Sequence, residues 1–159
     1  MQHTGQIKLR HFSKGDMGKL KSFELPKEQE QFTSLPKNYV EVLEGQYRIV
    51  IVSDNEPVGF FILHSTDRVK DYTDNPHAML LTALSIDLSQ QGKGYAKQAM
   101  LFLRKFVKDE FPNCNEIVLA VNHKNTAAQK LYVKVGFQDT GMRKMGPIGE
   151  QYIMSLMLK

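Results

Sequence analysis

The sequence has no tryptophan and a single cysteine, Cys114. One thiol forms no internal disulfide, so cross-links cannot staple this fold, and a lone cysteine suits a reducing compartment. No stretch approaches the roughly 18 consecutive apolar residues that span a bilayer, so no membrane partner is expected. Residues Met1 to Gln6 lack the basic segment and apolar run of an export signal, and a cytoplasmic location is the expectation. Internal repeats, low-complexity tracts and Gly/Ser linkers are missing too, which predicts one domain over residues 1–159. Long blocks of one charge sign are also absent. Lys and Arg number 21 against 17 Asp and Glu, scattered along the chain. Nucleic-acid binders concentrate their basic residues on one face or arm, so no nucleic-acid partner is expected. A modest positive excess serves solubility or attracts an anionic ligand, a phosphorylated cofactor among them. No metal site is read in the sequence.

What is present is enough apolar content, 42%, for one buried core. Ile7 to Arg10 alternates apolar and polar as a strand does, and Ser13 is placed to cap a helix from about Asp16 to Phe23. Pro26 and Pro36 interrupt the stretch from Leu25 to Gly45, where a short helix over Lys37 to Leu43 is predicted. Tyr47 to Val52 and Val58 to His64 flank the turn residues Ser53 to Pro57 and form a hairpin; Ser65 to His77 reads as loop, and Met79 to Ile86 as strand. From Gly94 the period changes. Ala96, Ala99, Met100, Leu103 and Val107 recur at helical spacing until Pro112 stops the helix, and Glu116 to Val121 is a strand. Asn125 caps a helix whose face carries Ala128, Leu131, Tyr132 and Val135, and Gly136 ends it. Phe137 to Arg143 and Tyr152 to Leu158 are the last strands, joined around Gly146-Pro147-Ile148-Gly149. Three strands in a row before the glycine turn exclude a strictly alternating, doubly wound sheet and give a mixed α/β domain of the α+β type.

The strand Met79 to Ile86 runs through Asp87-Leu88-Ser89-Gln90-Gln91-Gly92-Lys93-Gly94 straight into a helix. First-turn N–H groups have no intrahelical partner and the helix dipole adds positive potential there, so an anion fits. Gly92 and Gly94 lack a Cβ and let phosphate oxygens approach the backbone, and Lys93 adds charge. The nucleotide P-loop is excluded, because Gly94 is followed by Tyr95 rather than by Lys and then Ser or Thr. The dinucleotide fingerprint fits poorly: Lys97 stands where a third Gly or Ala belongs, and Val121-Asn122 where an acidic residue belongs. The pattern met is Gln-x-x-Gly-x-Ala, in Gln91, Gly94 and Ala96. Alone, it also describes a glycine-rich connection with no ligand.

A second motif follows the next strand. Asn125, Ala128, Leu131, Tyr132, Gly136 and Phe137 spell Asn-x-x-Ala-x-x-Leu-Tyr-x-x-x-Gly-Phe. With both motifs, the chain resembles the GCN5-related N-acetyltransferase (GNAT) superfamily over residues 80 to 137. The resemblance implies a mixed, mostly antiparallel sheet of about six to seven strands with about four helices. It implies a sheet splayed between Met79–Ile86 and Glu116–Val121, with acetyl-CoA in the gap. Backbone groups of Ser85, Ile86 and Leu88 would then pair with the pantetheine arm. The N–H groups of Gln91, Gly92, Lys93, Gly94, Tyr95 and Ala96 would hold the pyrophosphate, with Asn125 and Lys130 nearby. The family also points, weakly, to a homodimer.

Periodicity alone reads Tyr132 as a core aromatic; the family match makes it the candidate general acid. Its hydroxyl, with an ordinary pKa of about 10 against about 8.5 for a thiol, protonates the departing sulfur. The base is open. Many members carry a Glu on the strand before the glycine turn, but Leu80 to Ile86 has no carboxylate, which leaves a water relay ordered by Ser85 or by backbone carbonyls. His64, His77 and His123 are weaker alternatives, more often surface or capping residues. Cys114 has no base at readable spacing, so direct transfer is preferred to a covalent intermediate. By the same resemblance, the acceptor should enter from the opposite side of the splay, bordered by Leu25–Gly45 and the last hairpin, where Phe32 and Tyr39 are candidate walls. Glu24, Glu28, Glu30 and Glu41 read either as a solvated surface or as attraction for a cationic amine. The expected activity is acetyl transfer from acetyl-CoA to a small-molecule amine such as a polyamine, amino sugar or amino acid derivative. A protein or peptide amine, and a non-catalytic acyl-CoA sensor, are the alternatives.

Overall fold

In a computed structural model that describes residues 7–158, seven strands form one sheet in the order β1-β2-β3-β4-β5-β7-β6. They are β1 (Ile7–His11), β2 (Gln46–Ser53), β3 (Glu56–His64), β4 (Ala78–Ile86), β5 (Glu116–Asn122), β6 (Gln138–Gly146) and β7 (Gly149–Met157). Four helices accompany them: α1 (Met17–Lys21), α2 (Lys27–Glu30), α3 (Tyr95–Glu110) and α4 (Thr126–Lys134). Every neighbouring pair is antiparallel except β4 with β5.

Apolar side chains cover both faces. One cluster joins Phe61, Leu63, Met79 and Leu81 to the inner faces of α3 and α4, and Ala99, Met100, Leu103 and Val107 are the buried row of α3 that the sequence spacing predicts. On the other face, Leu20, Phe23, Leu25 and Leu35 pack against Val50, Val52, Phe60 and Ile62. This packing shapes the difficult segment 25–45. The helix expected over Lys37 to Leu43 is a single 3-10 turn, Pro36–Tyr39, and the α-helical residues lie earlier, in α2. Arg48 supplies the reason: its Nη1 donates to the carbonyls of Tyr39 and Val40 at 3.0 and 2.8 Å, taking acceptors a continuing helix would need. The predicted loop after His64 also contains a 3-10 turn, Asp67–Asp71.

The β2–β3 hairpin turns at Asp54 and Asn55, both with positive φ (50° and 68°), the backbone that matches the strands' right-handed twist. Arg10 clamps β1 to the turn before α1, with both guanidinium ends 2.7 Å from the Asp16 carboxylate. Asp16 also accepts the Ser13 N–H at 2.8 Å.

Candidate active site

The parallel pairing of β4 and β5 stops early. Only Ala78–Leu80 stand opposite Glu116–Val118, while β4 remains paired to β3 as far as Ile86 and β5 to β7 as far as Asn122. The strands diverge because β4 is bulged. Its register against β3 shifts between Phe60 and Ile62, and Ala83 sits in the left-handed region, at φ 59°. An extra residue in one strand bends it and breaks the ladder locally, so residues 81–86 turn one edge toward open space. The gap is a cleft of about 800 Å³.

The glycine turn forms one end of the cleft. Gly92 and Gly94 have φ of 80° and 79°, which glycine adopts without the cost a side chain brings. Gly94 offers no side chain to cap α3, and the first intrahelical bond runs from the Gln98 N–H to the Gly94 carbonyl at 3.0 Å. The first-turn amides are therefore open to a ligand. A Cβ built on Gly92 meets nothing within 4 Å, and one on Gly94 meets only Gln98 Nε2 at 4.0 Å. The space before the turn is free of protein, so the residues present fit a pyrophosphate. Gln91 braces the turn: its Nε2 donates to the Ile86 carbonyl at 2.9 Å and to Gln29 Oε1 at 3.0 Å, and it accepts from Gln29 Nε2 at 3.2 Å.

Most of the predicted site residues line this cleft: Ser85, Ile86, Gln91, Gly92, Gly94, Tyr95, Ala96, Asn125 and Tyr132. Leu88, Lys93 and Lys130 do not. The Leu88 N–H is already taken by the Glu24 carbonyl at 2.8 Å, which leaves that amide no hydrogen for a ligand. Lys93 is exposed and its Nζ donates to Gln90 Oε1 at 3.1 Å; Lys130 is exposed on α4. Tyr95 contributes its backbone, while its ring is buried in the core and its hydroxyl lies 3.4 Å from Ser53 Oγ. The Asn125 side-chain oxygen accepts the Ala128 N–H at 3.3 Å and so caps α4.

Tyr132 is buried, edge-on to Phe137 with ring centroids 5.4 Å apart. Burial raises its pKa, because low-dielectric surroundings disfavour the phenolate, and the hydroxyl keeps its proton. Ser85 Oγ is buried with no hydrogen-bond partner among the described residues. His64 is buried with Nε2 at 2.6 Å from Thr82 Oγ1. Burial pushes its pKa down to about 4, with the Arg68 charge adding to the shift. Cys114 and His77 line a separate hollow of about 330 Å³, and burial raises the Cys114 pKa. His123 lies beside Gly149, outside the cleft wall.

Residues 28–34, from the segment expected to border the acceptor, line the cleft, as do Pro147, Ile148 and Gln151 from the last hairpin. Of the side chains proposed there, Glu28, Glu30 and Phe32 are in the wall; Glu24, Tyr39 and Glu41 are not, and Tyr39 packs against Phe60 instead. The Thr33 hydroxyl donates to the Leu84 carbonyl at 3.1 Å and ties this segment to the bulged strand. Sequence reasoning missed Gln29, Thr33 and Thr82, because their partners lie 62, 51 and 18 residues away in the chain and no local pattern marks them. Among the described residues, no group of three or more His, Cys, Asp or Glu gathers to hold a metal ion, and no helix is long and apolar enough to cross a membrane.

The Acetyltransferase (GNAT) family matches residues 17–137. The chain is 46% identical, over 155 residues, to the uncharacterized N-acetyltransferase YbbJ of Bacillus subtilis (strain 168), an alignment that covers 95% of this chain and 97% of that one. In fold it is similar to aminoglycoside acetyltransferase AAC(6')-Ib in complex with coenzyme A and kanamycin, at TM-score 0.74 and 20% identity, covering 95% of this chain and 94% of that one. It is also similar to a spermidine N-acetyltransferase SpeG chimera from Vibrio cholerae, at TM-score 0.70 and 19% identity, covering 96% of each chain. Both motifs on one splayed sheet, together with these matches, make the chain a member of the acetyltransferase (GNAT) family and an N-acetyltransferase.

Proposed function

We propose that the enzyme transfers an acetyl group from acetyl-CoA directly to a primary amine of a small cationic molecule, such as a polyamine, amino sugar or amino acid derivative. The observation that carries this reading is the cleft itself. It has an uncapped, glycine-flanked helix start, and its wall includes the buried Tyr132 and the acidic residues Glu28 and Glu30. The open α3 amides and the room before Gly92 and Gly94 suit the pyrophosphate, and the unpaired edge of β4 suits the amide-rich pantetheine arm. Asn125 and Tyr95, also in the wall, would contribute backbone contacts. When bound, acetyl-CoA supplies the acetyl group and a thiolate that leaves.

Tyr132 is assigned the proton for that sulfur. Its raised pKa keeps the hydroxyl protonated across the working range, so the hydrogen is always present to be donated. Ser85 is assigned the ordering of a water that carries the amine's proton away. Nothing among the described residues holds its hydroxyl, so rotation about its Cα–Cβ bond can bring it to the cleft. Folds that carry kanamycin with coenzyme A, or that are named for spermidine, agree with an amine-rich, cationic acceptor.

The test is release of free thiol from acetyl-CoA in the presence of spermidine, kanamycin, amino acid amides, and peptides with free N-termini or lysines. Turnover of the small amines supports the proposal. Turnover of peptides alone would move the acceptor to protein, and coenzyme binding without turnover would favour a sensor. Tyr132→Phe should lower kcat by roughly 100-fold, the scale of general acid catalysis, with little change in coenzyme affinity.

A further inference from the structure

We propose that Thr82 is a positioning residue for the acceptor, its hydroxyl oxygen taking a hydrogen bond from the attacking amine, and that His64 buried behind it sets the direction of that hydroxyl. This rests on the cleft being the acetyl-acceptor site. Thr82 lies in the cleft wall on β4, half-buried, with its Oγ1 2.6 Å from His64 Nε2. The register pairs Thr82 with Ile62 and His64 with Leu80, which makes Thr82 and His64 diagonal neighbours on one sheet face, within reach of each other. That face carries Leu80 and Ile62 in apolar clusters and lies on the side of residues 28–34, the acceptor side.

His64 is an expensive residue for this place. It is 1% exposed, and its Nδ1 has no hydrogen-bond partner among the described residues. A leucine or valine would fill the same apolar surroundings without an orphaned nitrogen, so packing does not account for the imidazole. Its one bond, to Thr82, does. With its pKa pushed down to about 4, the ring is neutral near pH 7 and carries a single N–H. Either Nε2–H donates to the threonine oxygen, or the threonine hydroxyl donates to a bare Nε2. An amine or ammonium in the cleft brings N–H donors and needs an acceptor. It selects the second arrangement, in which the threonine hydrogen points back to His64 and the oxygen lone pairs face the cleft. A neutral imidazole adds no positive charge to repel a cation there.

The other hydroxyls nearby have other roles. The Thr33 hydrogen is given to the Leu84 carbonyl, and Ser85 Oγ, buried without a partner to fix its direction, is the group assigned to the water. Thr82 is thus the hydroxyl of the β4 wall that is both held by a protein partner and at the cleft.

The experiment compares Thr82→Val, Thr82→Ser, His64→Gln and the His64→Gln/Thr82→Val double variant, using whichever of spermidine or kanamycin the wild type acetylates. Thr82→Val keeps the shape and removes the hydroxyl; it should raise KM for the amine about tenfold, the scale of one lost hydrogen bond, while KM for acetyl-CoA stays unchanged. Thr82→Ser should restore the wild-type value. His64→Gln should weaken amine use in the wild-type background and add nothing in the Thr82→Val background. Long-range 15N spectra of the wild-type imidazole give a readout independent of turnover: adding the amine to the coenzyme A complex should shift His64 to the tautomer with Nε2 unprotonated. Unchanged amine KM in Thr82→Val, additive effects of the two substitutions, or a His64 whose Nε2 stays protonated with the amine bound would each overturn the pair. A wild type that releases no thiol with any amine refutes the acceptor reading of the cleft itself, which is a different failure.

Discussion

Replacing Gly59 with alanine should destabilise the protein through the back of the candidate active-site cleft. Gly59 lies on β3 directly opposite Ile86, at the end of the bulged strand. A Cβ there falls 2.6 Å from Ile86 Cδ1, 2.8 Å from Ile51 Cδ1 and 3.0 Å from the Ser85 carbonyl oxygen. Methyl ends can swing away, but Ile51 is 0% exposed and has nowhere to go without moving its neighbours. The Ser85 carbonyl is backbone, held where Phe60 pairs with Ser85. Overpacking of this kind costs about 1–3 kcal/mol, offset by a few tenths to about 1 kcal/mol from the less flexible unfolded chain. For a domain of this size, at roughly 2–4 °C per kcal/mol, the net loss lowers Tm by up to about 10 °C. Gly18→Ala is the control: Gly18 lies in α1 with nothing within 4 Å of a built Cβ, and it should hold or raise Tm, by up to about 1 kcal/mol of helix propensity. Thermal unfolding by circular dichroism reads both, and calorimetric titration with coenzyme A should show weaker binding for Gly59→Ala, because Ser85 and Ile86 line the cleft. A Gly59→Ala protein that melts at or above the wild-type temperature refutes the argument.

Gly94→Val forces a β-branched residue to φ 79°, at about 1–2 kcal/mol of backbone strain, and puts a side chain into the space before α3; coenzyme A affinity should drop at least about tenfold, and unaltered titration curves would sink the anion assignment. His64 predicts acid lability. Its folded pKa of about 4 lies below the ordinary 6.5, so between those values the unfolded chain binds more protons and stability falls as pH falls, by at most about 3 kcal/mol. Urea midpoints from pH 7 to 4 should show this slope in the wild type and a flatter one in His64→Gln; equal slopes would assign the acid sensitivity elsewhere. The Arg10 guanidinium and the Ser13 N–H hold the Asp16 carboxyl below its usual range, so its contribution is present above about pH 4 and lost as acid protonates it. Asp16→Asn should cost on the order of 1–2 kcal/mol at pH 7, modest because Arg10 is part-exposed, and a variant as stable as wild type at pH 7 would remove the clamp from the account.

Much of the candidate site was legible because its pattern is local. The glycine turn, the α3 face and the α4 cap are patterns within a few residues, where backbone freedom and 3.6-residue periodicity act directly. The same holds for the strands, since alternation and turn residues report them one at a time. Segment 25–45 resisted for the opposite reason: its shape is held by Arg48 on β2, by Phe60 beneath Tyr39 and by Gln91 across from Gln29. No pattern inside the segment encodes partners contributed by other elements.

Sequence alone pointed to the family, to the glycine turn proposed to hold the coenzyme and to Tyr132 as the acid candidate, because those residues stand at fixed short spacings. The tertiary structure decided which of them face the cleft, setting Leu88, Lys93 and Lys130 outside it. It also brought Thr82 and His64 within 2.6 Å of each other. A hydrogen bond between adjacent strands depends on register, and register is fixed only when the whole sheet has buried its apolar faces.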